Sequence, residues 1–216
     1  MDRRRPGPTP RYTREELAQR ALEIMDAHGP EGLTMRGLAA ELGMGTMALY
    51  RYFPSKRDLM DAAIEIAALE LELPEPGAAP WKEQLAGLAR GLFRAGVRHP
   101  SLARERFERP LQSPVAMRVT DRAIALLLEA GLTKAEAVAA FKALLVHTLA
   151  AAAFATSESR PEVRRTAAER HAAVPAEELP TMASVAEELT AALGGAQAFE
   201  LGLAALLDGI ELRAAR

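Results

Sequence analysis

Cysteine is absent from the 216 residues, which removes disulfides, thiolate nucleophiles and Cys-bound zinc from consideration. That absence fits a reducing compartment, and a cytoplasmic location is expected. Aromatics make up only 5% of the chain, and no run of alternating β-branched residues occurs, so strands are not expected. There are only four histidines, and no H-x-x-x-H pair, E-x-x-H pair or phosphate-binding glycine loop. Without a nucleophile–base arrangement either, the chain is not expected to be an enzyme, and no metal or cofactor is expected. The longest apolar run, Ala143 to Ala155, contains His147 and Thr148 and falls short of the ~20 residues of a bilayer span. The N-terminus, MDRRRPGPTPR, is basic but has no apolar segment behind it, so it does not read as a signal peptide and no membrane partner is expected.

What remains is rich in Ala and Leu, 49% hydrophobic overall, with a net charge of −2. This composition favours helices throughout, and the fold class is all-α. Net charge argues against a non-specific polyanion binder. Its distribution is uneven, however. Residues 1–60 carry ten Lys/Arg against eight Asp/Glu, and the remainder seventeen against twenty-one.

One stretch organises the rest: Leu33 to Arg57, LTMRGLAAELGMGTMALYRYFPSKR. Leu38, Ala39 and Leu42 share one helical face, Gly43 interrupts, and a second short helix carries Leu49 and closes with Tyr52 and Phe53 before Pro54. Two short helices joined at a tight glycine turn form a helix-turn-helix, whose second helix is presented to the DNA major groove. Ala39 is small where the helices approach, and Gly43 suits a left-handed turn. Leu38, Leu42, Met44 and Leu49 are the expected local core.

Ahead of this motif, Thr13-Arg14-Glu15-Glu16 is a capping box opening a helix with Leu17, Ala21, Ile24, Met25 and His28 on one stripe, ending at Gly29-Pro30. Residues 1–12 hold Arg3, Arg4, Arg5 and Arg11 among prolines and read as a flexible basic arm, either a DNA contact or a solvated tail. After Pro54, a helix capped at Ser55 turns Leu59, Ala63, Ile66 and Leu69 inward. It fades before Pro74-Glu75-Pro76-Gly77, the clearest boundary in the chain. The expected division is an arm at 1–12, a DNA-binding domain at 13–73 and a helical effector-binding and dimerisation domain at 80–216. Within the last, helices open at Trp81, Ser101, Pro114, the Thr133 capping box, Pro161, a Ser184 cap and Ala196.

These residues resemble the TetR family of bacterial transcriptional regulators. The pattern G-L-T-x-R-x-L-A-x-x-L-G, followed by L-Y-x-x-F-x-x-K, covers residues 32–56. Trp81, the RHPSLA passage and the terminal FELGLAALLDGIE helix are similar to the branch containing the tetracycline repressor. The resemblance implies a homodimer that binds double-stranded DNA at a palindromic operator, with a small molecule in the C-terminal domain releasing it. A transcriptional activator, or an effector-independent DNA-binding protein of the same fold, is the alternative.

On that basis Arg36, Thr46, Met47, Tyr50, Arg51, Tyr52 and Lys56 are the expected DNA contacts. Arg36 suits guanine through its forked donors, Thr46 brings a hydroxyl or caps its helix, and Met47 suits a thymine methyl. Tyr50 and Lys56 suit phosphate. Trp81, Leu88, Leu92, His99, Phe107 and His147 are the candidate effector pocket, although apolar stripes of this kind also form plain core. The two histidines that the resemblance would require for a metal–tetracycline inducer are missing, since residues 68–74 read ALELELP and Leu102 to Pro110 contains no His. Arg104, Arg106 and Phe107 point instead to an anionic or aromatic effector. Dimerisation is expected through the helices at 133–157 and 196–213, where Gly202 and Gly209 permit close approach and Phe199, Leu203, Leu206 and Ile210 supply apolar area.

Overall fold

The computed structural model describes residues 12–101 and 113–215. Among them are eleven helices and no strand. They are α1 (Arg14–Gly32), α2 (Met35–Glu41), α3 (Thr46–Tyr52), α4 (Lys56–Ala68), α5 (Trp81–Arg98), α6 (Pro114–Glu129), α7 (Lys134–Glu158), α8 (Pro161–Ala172), α9 (Pro180–Ser184), α10 (Ala186–Ala191) and α11 (Gln197–Ala214). The chain separates into two compact units, one up to Ala67 and the other from Ala68 onward. The arm's Arg3, Arg4, Arg5 and Arg11, the short helix expected from Ser101, and Arg104, Arg106 and Phe107 lie outside the described residues.

In the first unit the capping box at Thr13 is formed: Glu16 N donates to Thr13 Oγ1 and Thr13 N to Glu16 Oε2. The backbone leaves helical geometry at Gly29, as the Gly-Pro pair requires, before a last turn to Gly32. The buried face is rotated from the expected one. Ala18 and Leu22 join Leu17, Ala21 and Met25 inside, while Ile24 is half-buried and His28 exposed. The helix breaks at Gly29, directly after His28, so the apolar stripe ends before that residue. Likewise Leu69 is 60% exposed: α4 has already ended at Ala68, so Leu69 cannot continue the Leu59, Ala63, Ile64 and Ala67 face.

The second unit is built on α7, which packs against α5, α6 and α11. Its apolar cluster draws Leu85 and Phe93 from α5, Leu126 and Leu127 from α6, Leu144 and Ala152 from α7, and Phe199, Leu203, Leu207 and Ile210 from α11. Phe93 and Phe199 stack at 4.2 Å. Three ion pairs fasten α5 to α11: Arg90 to Glu200, and Lys82 to both Asp208 and Glu211. Helix α7 agrees with the expected 133–157 to within a residue at each end, and His147 and Thr148 lie inside it. At 25 residues it is long and apolar enough to cross a bilayer by length and composition, a test that the core helix of a folded protein also passes.

Two expectations fail here, one for a local reason and one for a tertiary reason. Ser184 does not cap a following helix; it ends α9 and donates its hydroxyl to Thr181 O. Phe199, Leu203 and Ile210, expected at a subunit interface, are buried within their own chain, and Leu206 is half-buried against the same core. The large apolar residues that α7 and α11 leave outside are Val138, Val146, Phe154, Leu201 and Leu212.

Candidate nucleic-acid interface and ligand cavity

Helix α2 begins at Thr34, whose hydroxyl accepts from Gly37 N at 2.9 Å. It ends in a Schellman turn: Gly43 N donates to Ala40 O and Met44 N to Ala39 O, with Gly43 at φ +60°. A side chain at Gly43 would be strained in that conformation, so the residue fixes the angle at which α3 leaves α2. Leu38, Ala39 and Leu49 are buried between the two helices, and Leu42 and Met44 are half-buried.

Burying Leu49 and Phe53 decides what α3 presents outward. Met47 is 77% exposed and Tyr50 41%, and Arg51 is exposed beside them. Thr46 is half-buried at the first helical position, and Gly45, not Thr46, occupies the cap. From α2, Arg36 is exposed. Arg36, Arg51 and Arg57 form no hydrogen bond or ion pair with the other described residues, which leaves their three guanidinium groups uncommitted toward those residues. Arg57 had no assigned role in the sequence reading; the signal was its place beside Lys56. Arg20, by contrast, is held by Glu23 and Glu41, whose carboxylates raise its already high pKa.

Tyr52 and Lys56 are placed differently from the others. The Tyr52 hydroxyl donates to Tyr12 O at 2.9 Å, while the Tyr12 hydroxyl donates to Leu42 O at 3.1 Å. The two tyrosines thus clasp the end of α3 to the turn after α2. Lys56 donates from Nζ to Pro30 O at 2.8 Å, spending one of three ammonium protons inside the unit. Ser55 caps α4, accepting from Asp58 N.

In the second unit, α5, α6 and α7 surround a cavity of about 90 Å³. Leu88 and Leu92 of the expected pocket line it. The sequence reading missed Val119 and Thr120 of α6 and Phe141, Leu144, Leu145 and Thr148 of α7. Only the two threonines, as polar interruptions of apolar faces, gave any sign. Trp81, His99 and His147 stand outside this lining. Trp81 is half-buried against the apolar cluster. His99 is buried at the end of α5, with Nε2 3.3 Å from Glu70 Oε1, and Arg98 pairs with the same carboxylate. His147 donates from Nε2 to Phe199 O at 2.9 Å and stacks on the Phe199 ring. Its ring lies over Gly202, so that glycine serves a contact within the chain. No three acidic or histidine side chains converge on a metal position among the described residues.

Residues 17–63 match the family described as bacterial regulatory proteins, tetR family, and residues 73–214 match the tetracyclin repressor-like C-terminal domain. The chain is 34% identical to the HTH-type transcriptional repressor DrrR1 of Streptomyces coeruleorubidus, over 99% of this chain and 83% of that protein. It is 31% identical to the class C tetracycline repressor protein of Escherichia coli, over 92% and 90% of the two chains. Among solved structures, the TetR family protein ActR of Streptomyces coelicolor in complex with actinorhodin aligns with a TM-score of 0.80 and 28% identity, covering 96% of this chain and all of the other.

Proposed function

Because the chain belongs to the tetR family of bacterial regulatory proteins, we propose that it is a transcriptional repressor released from DNA by a small molecule held in its C-terminal unit. One observation carries this reading: a helix-turn-helix with an outward-facing polar and apolar recognition surface shares the chain with a helical unit that holds an apolar cavity. The cavity favours effector control over an effector-independent DNA-binding protein. DrrR1 is named a repressor, which favours repression over activation.

Arg36, Thr46, Met47, Tyr50 and Arg51 read the operator in this account, with Arg57 and the remaining protons of Lys56 directed to phosphates. Tyr52 has its hydroxyl engaged at Tyr12, so its contribution is to hold α3 in place. The repressor acts as a homodimer through α7 and α11. Val138, Val146, Phe154, Leu201 and Leu212 support that arrangement as apolar groups left in water on these two helices. Two recognition helices about 34–36 Å apart fit one turn of a palindrome, and a shift of a few ångströms costs one half-site. Ligand occupancy then acts by favouring the dimer geometry that cannot span both half-sites.

The experiment is selection of bound sites from random duplex DNA at near-physiological salt, followed by sequencing. An enriched palindrome is expected. No enrichment, or an unpaired half-site, overturns the dimeric repressor.

A further inference from the structure

We propose that the cavity between α5, α6 and α7 selects an uncharged, non-chelating ligand: an apolar body of about one ring carrying a hydroxyl or another group that both donates and accepts a hydrogen bond. The inference rests on this cavity being the effector site.

Of its fifteen lining residues among those described, thirteen are Ala, Leu, Val or Phe, and none is ionisable. An ionised ligand group placed there would lose its hydration and find no counter-charge among the described residues. Chelation has no support either, because a bound metal would meet no carboxylate or imidazole among the described lining residues. Polar selection therefore falls to the two threonines. Thr148 commits its hydroxyl proton to Leu144 O at 2.8 Å, so toward a ligand it offers only lone pairs. Thr120 has no hydrogen-bond partner among the described residues, so its hydroxyl can donate or accept. A carboxylate can use Thr120 alone, as can a ketone. A phenol or alcohol can give its proton to Thr148 and accept from Thr120. The volume of about 90 Å³ sets the scale, being of the order of the ~150 Å³ apolar cavity that accommodates benzene.

The test is calorimetric titration of the full chain at pH 7 with three probes of matched size: toluene, p-cresol and p-toluate. The same probes are then added to protein bound to its selected DNA site. p-Cresol is expected to bind about tenfold tighter than toluene, reflecting roughly one net hydrogen bond, and p-toluate to bind weakest. Thr148→Val and Thr120→Val should each shrink the advantage of p-cresol over toluene while leaving toluene affinity unchanged. That second readout separates lost recognition from a damaged fold. Binding of p-toluate as tight as that of p-cresol would overturn the proposed class, as would p-cresol affinity indifferent to both substitutions or no binding by any probe. Cresol binding with the expected threonine dependence but no loss of DNA would uphold the ligand class and sink the effector-release reading.

Discussion

His147 of α7 occupies the space that a side chain on Gly202 of α11 would need. A Cβ built on Gly202 would fall inside 3.0 Å of ring atoms Cε1 and Nε2, and the ring is held there by its bond to Phe199 O. Gly202→Ala should therefore destabilise the second unit by about 1–3 kcal/mol, the range for overpacking a tight contact. Chemical denaturation measures it. The double substitution with His147→Ala should recover part of the loss, because the clash disappears with the ring.

On the DNA-binding unit, Arg36→Ala and Tyr50→Ala should each weaken binding to the selected site by about 1–3 kcal/mol. Both side chains are exposed, so the melting temperature should stay within a degree or so of the parent protein. Titration of labelled duplex against each variant decides it. Unchanged affinity in both would remove α2 and α3 from the operator.

Lys56→Ala should show two effects. Its bond to Pro30 O is lost, which should lower stability by about 1 kcal/mol. If the ammonium also meets a phosphate, affinity should fall for all sequences alike and the log–log salt dependence should flatten by about one unit. A stability loss with an unchanged salt slope would confine Lys56 to a structural role.

For self-association, Phe154→Glu or Leu201→Glu should shift the protein toward monomer in sedimentation, because each places a charge on an exposed apolar group. Neither residue belongs to the buried core, so helicity should persist. Retention of the dimer in both variants would move the interface away from these faces.

Two carboxylates predict how stability responds to acid. Hydrogen bonds from the Thr133 hydroxyl and backbone hold Glu136 below its ordinary value of 4.5, and Arg90 does the same for Glu200. Depressed carboxylates contribute stability above the unfolded value and lose it as pH falls through the folded one. The gap in melting temperature between the parent protein and Glu136→Gln or Glu200→Gln should thus be full at pH 7. It should narrow below about pH 4.5 and close in stronger acid.

How far the sequence could be read depended on whether a residue's role was local. Thr13, Thr34 and Thr133 announce their helices because a cap needs only the next three residues, and the Gly43 turn is legible for the same reason. Apolar periodicity identified α11 but not what it packs against: Phe199, Leu203 and Ile210 would read the same whether they faced α5 and α7 or a second subunit. Only the tertiary arrangement shows that they are used internally and that Leu201 and Leu212 are left outside. The cavity was least legible. Three helices distant in sequence bring Leu88, Thr120 and Thr148 to one space, and no spacing rule connects them.

The tyrosine clasp has a consequence for anyone excising the DNA-binding unit. Residue 12 precedes the first helix and the Thr13 cap, so a fragment begun at Thr13 would retain every helical residue and look complete on paper. It would lack both the carbonyl that receives the Tyr52 proton and the hydroxyl that reaches Leu42 O. Such a fragment would keep its helix content while α3 loosened against the turn, so circular dichroism would pass a protein whose DNA affinity had already dropped. The usable boundary lies ahead of Tyr12.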